Sequence, residues 1–252
     1  MADIKTEKQE LQRPLLSTSP PQPKLSVRLA MALKISMLAL IVGLFVCLHY
    51  PAFSSAAHNS QKHTPLGLPY TEPPIAISNK IQNARPVPFK PNDGWLGMNL
   101  DYKYVEPLAK ELNSTSDVPL QTRGEAHITV VTPPEFNVLK EAGITLDELN
   151  AIALDMDIQS LSFVLICLGR EKVTKDGKDY IVYQGIVDAP SLTNIRNAIF
   201  RRYASKGGNT ALFDPQNYKP HFTIAYNVGD LFESDHVSKG YNVCYRPFKI
   251  TN

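Results

Sequence analysis

Residues 126–131, Ala-His-Ile-Thr-Val-Val, and residues 221–226, His-Phe-Thr-Ile-Ala-Tyr, carry one pattern twice. Each sets a histidine, an apolar residue, a threonine and a second apolar residue in a run that reads as a strand. Side chains two apart on a strand share a face. His127 and Thr129 therefore lie on one face, as do His221 and Thr223, while Ile128, Val130, Phe222 and Ile224 fill the opposite faces. If the two strands lie side by side, they bring two imidazoles and two hydroxyls to one surface. The bare spacing of histidine and hydroxyl is weak, because it recurs at His58-Asn59-Ser60 and His236-Val237-Ser238. His58 falls in a proline-rich stretch and His236 in a loop-like one, so only His127 and His221 sit inside apolar strands. A single such histidine would by default be a hydrogen-bonded core residue. Two matched strands point instead to a site.

Working outward, the chain alternates strands and helices. Trp95–Tyr102 reads as a strand and Val105–Leu112 as a short helix. Pro133-Pro134 ends the first histidine strand, and helices are expected over Glu135–Ala142 and Thr145–Ala153. Thr145 has Glu148 three residues on as a capping-box partner. Ser162–Leu168 and Tyr180–Val187 read as strands joined through a turn at Asp176-Gly177. Ser191 is placed to cap a helix to Tyr203, stopped by Gly207-Gly208, and Pro220–Tyr226 and Val243–Ile250 are further strands. Locally paired strands with interspersed helices predict an α+β fold with largely antiparallel sheets. The two halves of the domain repeat a similar order of elements.

The folded domain is expected over residues 94–252. Residues 1–28 read as a disordered cytosolic tail, residues 29–53 as a transmembrane signal anchor, and residues 54–93 as a proline-rich linker. The apolar run Ile35–Phe53, extended back to Leu29 and broken only by Lys34, is long enough to cross a bilayer as a helix. Lys24, Arg28 and Lys34 precede its core, and only Lys62 falls in the twenty residues after Tyr50. The positive-inside rule then makes this a single-pass type II protein with its domain lumenal or extracellular. A cleaved signal peptide, with Ser55-Ala56-Ala57 as the cleavage region, is the competing reading. Asn113-Ser114-Thr115 is a glycosylation sequon consistent with either exported form.

Residues 1–94 carry 10 Lys and Arg against 5 Asp and Glu, whereas residues 95–252 carry 16 against 19. The domain is thus mildly acidic and lacks the broad basic surface of a general nucleic-acid binder. Any nucleotide substrate should be small or held locally, and the domain is expected to be a monomer. The chain has 3 cysteines, too few for a disulfide scaffold. Cys47 lies in the apolar run. Cys167 and Cys244 are expected as two buried thiols, with one disulfide between them as the alternative. No metal-ligand spacing is present, and no cofactor or metal is expected.

Gly124-Glu125-Ala126-His127-Ile128-Thr129-Val130-Val131-Thr132-Pro133-Pro134-Glu135 and Tyr218-Lys219-Pro220-His221-Phe222-Thr223-Ile224 resemble the paired motifs of the 2H phosphoesterase superfamily. Within it the chain resembles the 2H domain associated with Swiss army knife RNA-repair proteins, over about residues 95–250. The resemblance implies a bilobal, pseudo-twofold α+β fold with one motif strand per lobe. It also implies metal-free action on 2′,3′-cyclic phosphates, on related cyclic or 2′–5′ phosphodiesters, or in the reverse ligation. His127 and His221 would be the acid–base pair, in an order the sequence leaves open, and Thr129 and Thr223 would donate to the phosphate. Imidazoles titrate near neutrality and suit either role. Tyr218, Lys219 and Glu125 are secondary candidates, with Lys219 meeting a phosphate and Glu125 orienting His127. Arg123 is a further candidate for substrate contact. The alternatives are a nucleotide- or phosphate-binding module without turnover on the same scaffold, and a structural single-pass protein whose outer domain binds another protein.

Overall fold

Asp176 and Gly177 both adopt positive φ, 51° and 71°, the turn that matches the twist of paired strands. They close a long hairpin between β4 (Val164–Lys175) and β5 (Lys178–Asp188). This hairpin is the centre of the sheet in the computed structural model, which describes residues 70, 72–232, 235, 237 and 239–252. The tail at 1–28, the anchor at 29–53, residues 54–69 of the linker, His58 and His236 lie outside the described residues. Among the described residues no helix is long and apolar enough to cross a membrane.

The remaining strands are β1 (Ile75–Ser78), β2 (Leu96–Leu100), β3 (Ala126–Val131), β6 (His221–Tyr226) and β7 (Cys244–Thr251). Five strands form one sheet in the order β1-β7-β4-β5-β6, and β2 and β3 form a separate antiparallel ribbon. The large sheet is antiparallel except for the parallel β1–β7 pair. Among the described residues four α-helices pack around these strands: α1 (Glu106–Thr115), α2 (Pro133–Glu141), α3 (Leu146–Asp155) and α4 (Pro190–Ser205). The fold is α+β and rich in antiparallel pairs, as the sequence predicts. The two sheets are unequal, so the matched histidine strands occupy different settings: β6 is the edge of the five-stranded sheet, and β3 is half of the ribbon.

Residues 75–82, placed by sequence in the linker, are structured. Ile75, Ile77 and Ile81 are buried, and β1 adds to the edge of the sheet against β7. Four residues are too short for a visible alternation, and the pairing partner lies 173 residues away, at Phe248 for Ile75. The helix expected to be capped by Ser191 begins two residues earlier, with Pro190 in its first turn and Ala189 at its N-cap, and no side chain caps it. The capping box of Thr145 and Glu148 is formed, and an equivalent box joins Thr132 to Glu135 at the start of α2.

Cys167 and Cys244 form a disulfide, not two free thiols. Cys167 is on β4 and Cys244 opens β7, whose pairing brings their Cα atoms to 5.7 Å, within bridging range. The bond closes a loop of 77 residues. Loop-closure entropy for such a loop corresponds to about 4–5 kcal/mol. Cys167→Ala with Cys244→Ala is expected to lower unfolding free energy by about 2–5 kcal/mol. The check is a urea midpoint, with and without reductant; a wild-type midpoint that reductant leaves in place would remove the disulfide as a stabiliser.

Candidate active site

In β3 the burial pattern alternates: Ala126, Ile128 and Val130 are buried, and His127 and Thr129 are partly exposed. In β6 Phe222 and Ile224 are buried, and His221 and Thr223 are partly exposed. The apolar faces anchor the strands; each fully buried side chain of this size contributes about 1.5–3 kcal/mol. The polar faces carry the histidines. β3 and β6 lie against each other, and an antiparallel bridge joins Gln121 to Tyr226 just beyond them. The His127 charge acts on His221, so the two rings share one electrostatic environment.

Each imidazole is held at Nδ1, but by different groups. His221 Nδ1 lies 2.8 Å from the Lys219 carbonyl oxygen. A carbonyl only accepts, so Nδ1 carries the proton and Nε2 presents a lone pair. Burial, reinforced by the Lys239 ammonium and the His127 ring, outweighs the Lys219 carbonyl and the Asp230 carboxylate, and pushes the His221 ring down to about 4. At neutral pH the ring is uncharged. His127 Nδ1 lies 2.8 Å from Glu125 Oε2, and its side chain is 14% exposed. Burial works to raise the Glu125 carboxyl, but the hydrogen bond to His127 and the His127, Arg123 and Lys90 charges outweigh it, and the net shift is downward. A carboxylate at Nδ1 fixes the orientation of the ring.

Trp95 covers the other side of His127, with ring centroids 4.2 Å apart. Gly97 makes room for it: a methyl group there would meet the Trp95 ring at 2.6 Å. Tyr218 does not face the histidines with its hydroxyl; it donates to the Thr129 backbone carbonyl at 3.0 Å and ties the second motif to β3. Burial, the dominant cause, raises its pKa. Lys219 contributes its carbonyl to His221, and its side-chain methylenes run beside Gly240.

Thr223 hydrogen-bonds a group the sequence did not single out. Its hydroxyl donates to Asp230 Oδ2 at 3.1 Å, and the same oxygen receives Arg123 Nη2 at 2.8 Å. Beside Thr223 on β5, Gln184 is wholly buried, and neither end of its amide has a hydrogen-bond partner among the described residues.

Arg196 on α4 is the other residue missed by sequence reading. It is 1% exposed. Its guanidinium donates to Val130 O of β3 at 2.7 Å, to Glu135 Oε1 at 2.8 Å, to Pro215 O at 3.1 Å and to Asp214 O at 2.9 Å. The rings of Phe213 and Tyr218 each lie 4.9 Å from its carbon. It therefore fixes the first motif strand against the segment that leads into the second. Its only sequence signal is a lone arginine among the apolar positions Leu192, Ile195 and Ile199 of α4.

Among the described residues no three His, Cys, Asp or Glu side chains cluster as a metal site. An α+β domain that sets two His-x-Thr strands side by side has the architecture of the two-histidine phosphoesterases. The family model for the Swiss Army Knife 2H phosphoesterase domain matches residues 94–232, and the chain belongs to that family, whose members hydrolyse phosphodiester bonds. Comparison with curated proteins and with solved structures returns no match.

Proposed function

We propose that the domain hydrolyses a small cyclic phosphodiester of the 2′,3′ type, or a 2′–5′ linked one, at a nucleotide or RNA end without a metal ion, with His221 as general base and His127 as general acid. The observation that carries the assignment is the difference between the two Nδ1 partners, a carbonyl on His221 and a carboxylate on His127. A neutral imidazole with a free Nε2 lone pair accepts a proton from water as the water oxygen attacks phosphorus. The bond from phosphorus to one ribose oxygen then breaks, and His127 Nε2 gives a proton to that leaving oxygen. One water is added, the product is a phosphomonoester, and proton exchange with solvent resets the pair. Each such group contributes typically about 10²–10⁴-fold. Thr129 faces the same space as His127 and is suited to donate to a phosphoryl oxygen.

We further infer that the domain lies on the lumenal or extracellular side of a membrane, anchored by residues 29–53, as a single-pass type II protein. Three features support this: the charge asymmetry around the apolar run, the Cys167–Cys244 disulfide, which persists in oxidising compartments, and the exposed Asn113 of the sequon at the end of α1. The substrate would then be a nucleotide or RNA fragment of that compartment.

The test is turnover of 2′,3′-cyclic mononucleotides and 2′–5′ dinucleotides by the full-length protein in detergent, with and without a strong chelator. Equal turnover in both conditions is expected. Loss of activity on chelation, restored by a divalent cation, would contradict the metal-free mechanism; inactivity on every substrate would favour a binding module.

A further inference from the structure

At the end of the segment after β6, Val243 lies on the histidine face of the large sheet. Cross-strand partners share a face, so Ile186, opposite His221, and Gln184, opposite Thr223, belong to that face. Val243 packs there: a methyl group at Gly169 would meet Val243 Cγ2 at 2.9 Å and Ile186 Cγ1 at 3.0 Å. The Cys167–Cys244 disulfide pins the end of the segment to β4. Gly240 lies on the Lys219 side chain, where an added methyl would come within 3.7 Å of Lys219 Cδ. Immediately before Gly240, Lys239 enters the protein.

The Lys239 side chain is 8% exposed, and its Nζ is 4.0 Å from Asp230 Oδ1; the Asp230 side chain is also 8% exposed. Asp230 Oδ2 holds both Arg123 and the Thr223 hydroxyl. One carboxylate thus stands between two cations beside the motif threonine, and the Asp235 carboxylate also acts on Lys239. A carboxylate only accepts, so the Thr223 hydroxyl proton is directed at Asp230 and away from any phosphoryl oxygen. Positive charge on this side of the site comes from the two basic side chains.

We propose that Lys239 is a phosphate-binding residue of this site, supplying with Arg123 the positive charge that the second motif's threonine does not, and that Asp230 holds both cations in place until an anion arrives. Lys239 lies beyond the residues that match the family model, 94–232. The inference rests on reading the histidine site as a phosphoester site. A buried ammonium beside a phosphoryl group gains from the low local dielectric. The same charge disfavours protonation of His221 and keeps the base available.

Trp95 is the chain's one tryptophan and lies on His127, so its fluorescence reports on ligands at the site. The experiment titrates the full-length protein in detergent with inorganic phosphate, following that fluorescence. Lys239→Met is expected to weaken phosphate binding by about 10- to 100-fold, the range for one hydrogen bond to a charged group. Lys239→Arg, which keeps the charge, is expected to retain most of it. Asp230→Asn removes the competing anion and is expected to tighten binding. If Lys239→Met folds poorly, the Arg and Asn variants still decide the matter. Phosphate affinity indifferent to all three substitutions would overturn the proposal, as would failure of the wild type to bind phosphate. Lys239-dependent phosphate binding by a protein that turns over no phosphodiester would leave this proposal standing and remove the catalytic one.

Discussion

His221→Ala and His127→Ala are each expected to lower kcat/KM by about 10²–10⁴-fold, and the double variant by little more than the worse single one, because the two groups act in one step. The pH profile separates their roles. Burial, the Lys239 ammonium and the His127 ring hold His221 down to about 4 against the opposing Lys219 carbonyl and Asp230 carboxylate. As the base it must be unprotonated, so the acid limb of kcat/KM is expected near pH 4, well below the ordinary imidazole range. Lys239→Met removes one of the charges that oppose protonation and should move that limb upward. An acid limb near the ordinary imidazole value in the wild type would falsify the assignment of His221 as base. The same shift bears on stability. Between about 6.5 and 4 the unfolded chain protonates this ring and the folded one does not. Stability is therefore lost as pH falls through that window, by roughly 3 kcal/mol in all. His221→Ala should flatten that portion of a stability-against-pH curve measured by urea unfolding.

Arg196→Met is expected to cost about 3–5 kcal/mol of stability, the range for breaking a buried ion pair by removing one partner. Methionine fills part of the volume but leaves Glu135 Oε1 and the carbonyls of Val130, Asp214 and Pro215 without the guanidinium. Activity should fall as well in the fraction that remains folded, because the Val130 and Pro215 contacts set β3 against the approach to β6. Arg196→Lys is not a rescue: a single ammonium cannot reproduce a planar fork that reaches several acceptors at once. Chemical unfolding together with kcat/KM at a temperature where the variant is fully folded decides this. A stable variant with wild-type kcat/KM would show that the two strands are registered by packing alone. The Tyr218 bond to the Thr129 carbonyl is the second tie between the same elements and would then be the one to test.

What sequence alone determined here is local and periodic. The alternation in residues 126–131 and 221–226 sets which side chains of each strand face the core, because the strand repeat of two leaves only one way to bury Ile128, Val130, Phe222 and Ile224. Positive φ at Asp176-Gly177 and the Thr145–Glu148 box are equally short-range, and both form as read. The histidine and threonine positions were legible for this reason, and so was Glu125, only two residues from His127. Tertiary structure decided everything that depends on which distant segments meet. The disulfide needed β4 beside β7, and β1 needed the C-terminal strand as its partner. Asp230 and Lys239 sit in a stretch without periodicity, where a charged residue looks the same whether it faces water or a buried hydroxyl. Arg196 reads as a polar interruption of a helix until the chain brings five carbonyl and carboxylate oxygens around it. Contacts between residues far apart leave no spacing in the sequence, so their partners and their chemistry appear only in the folded chain.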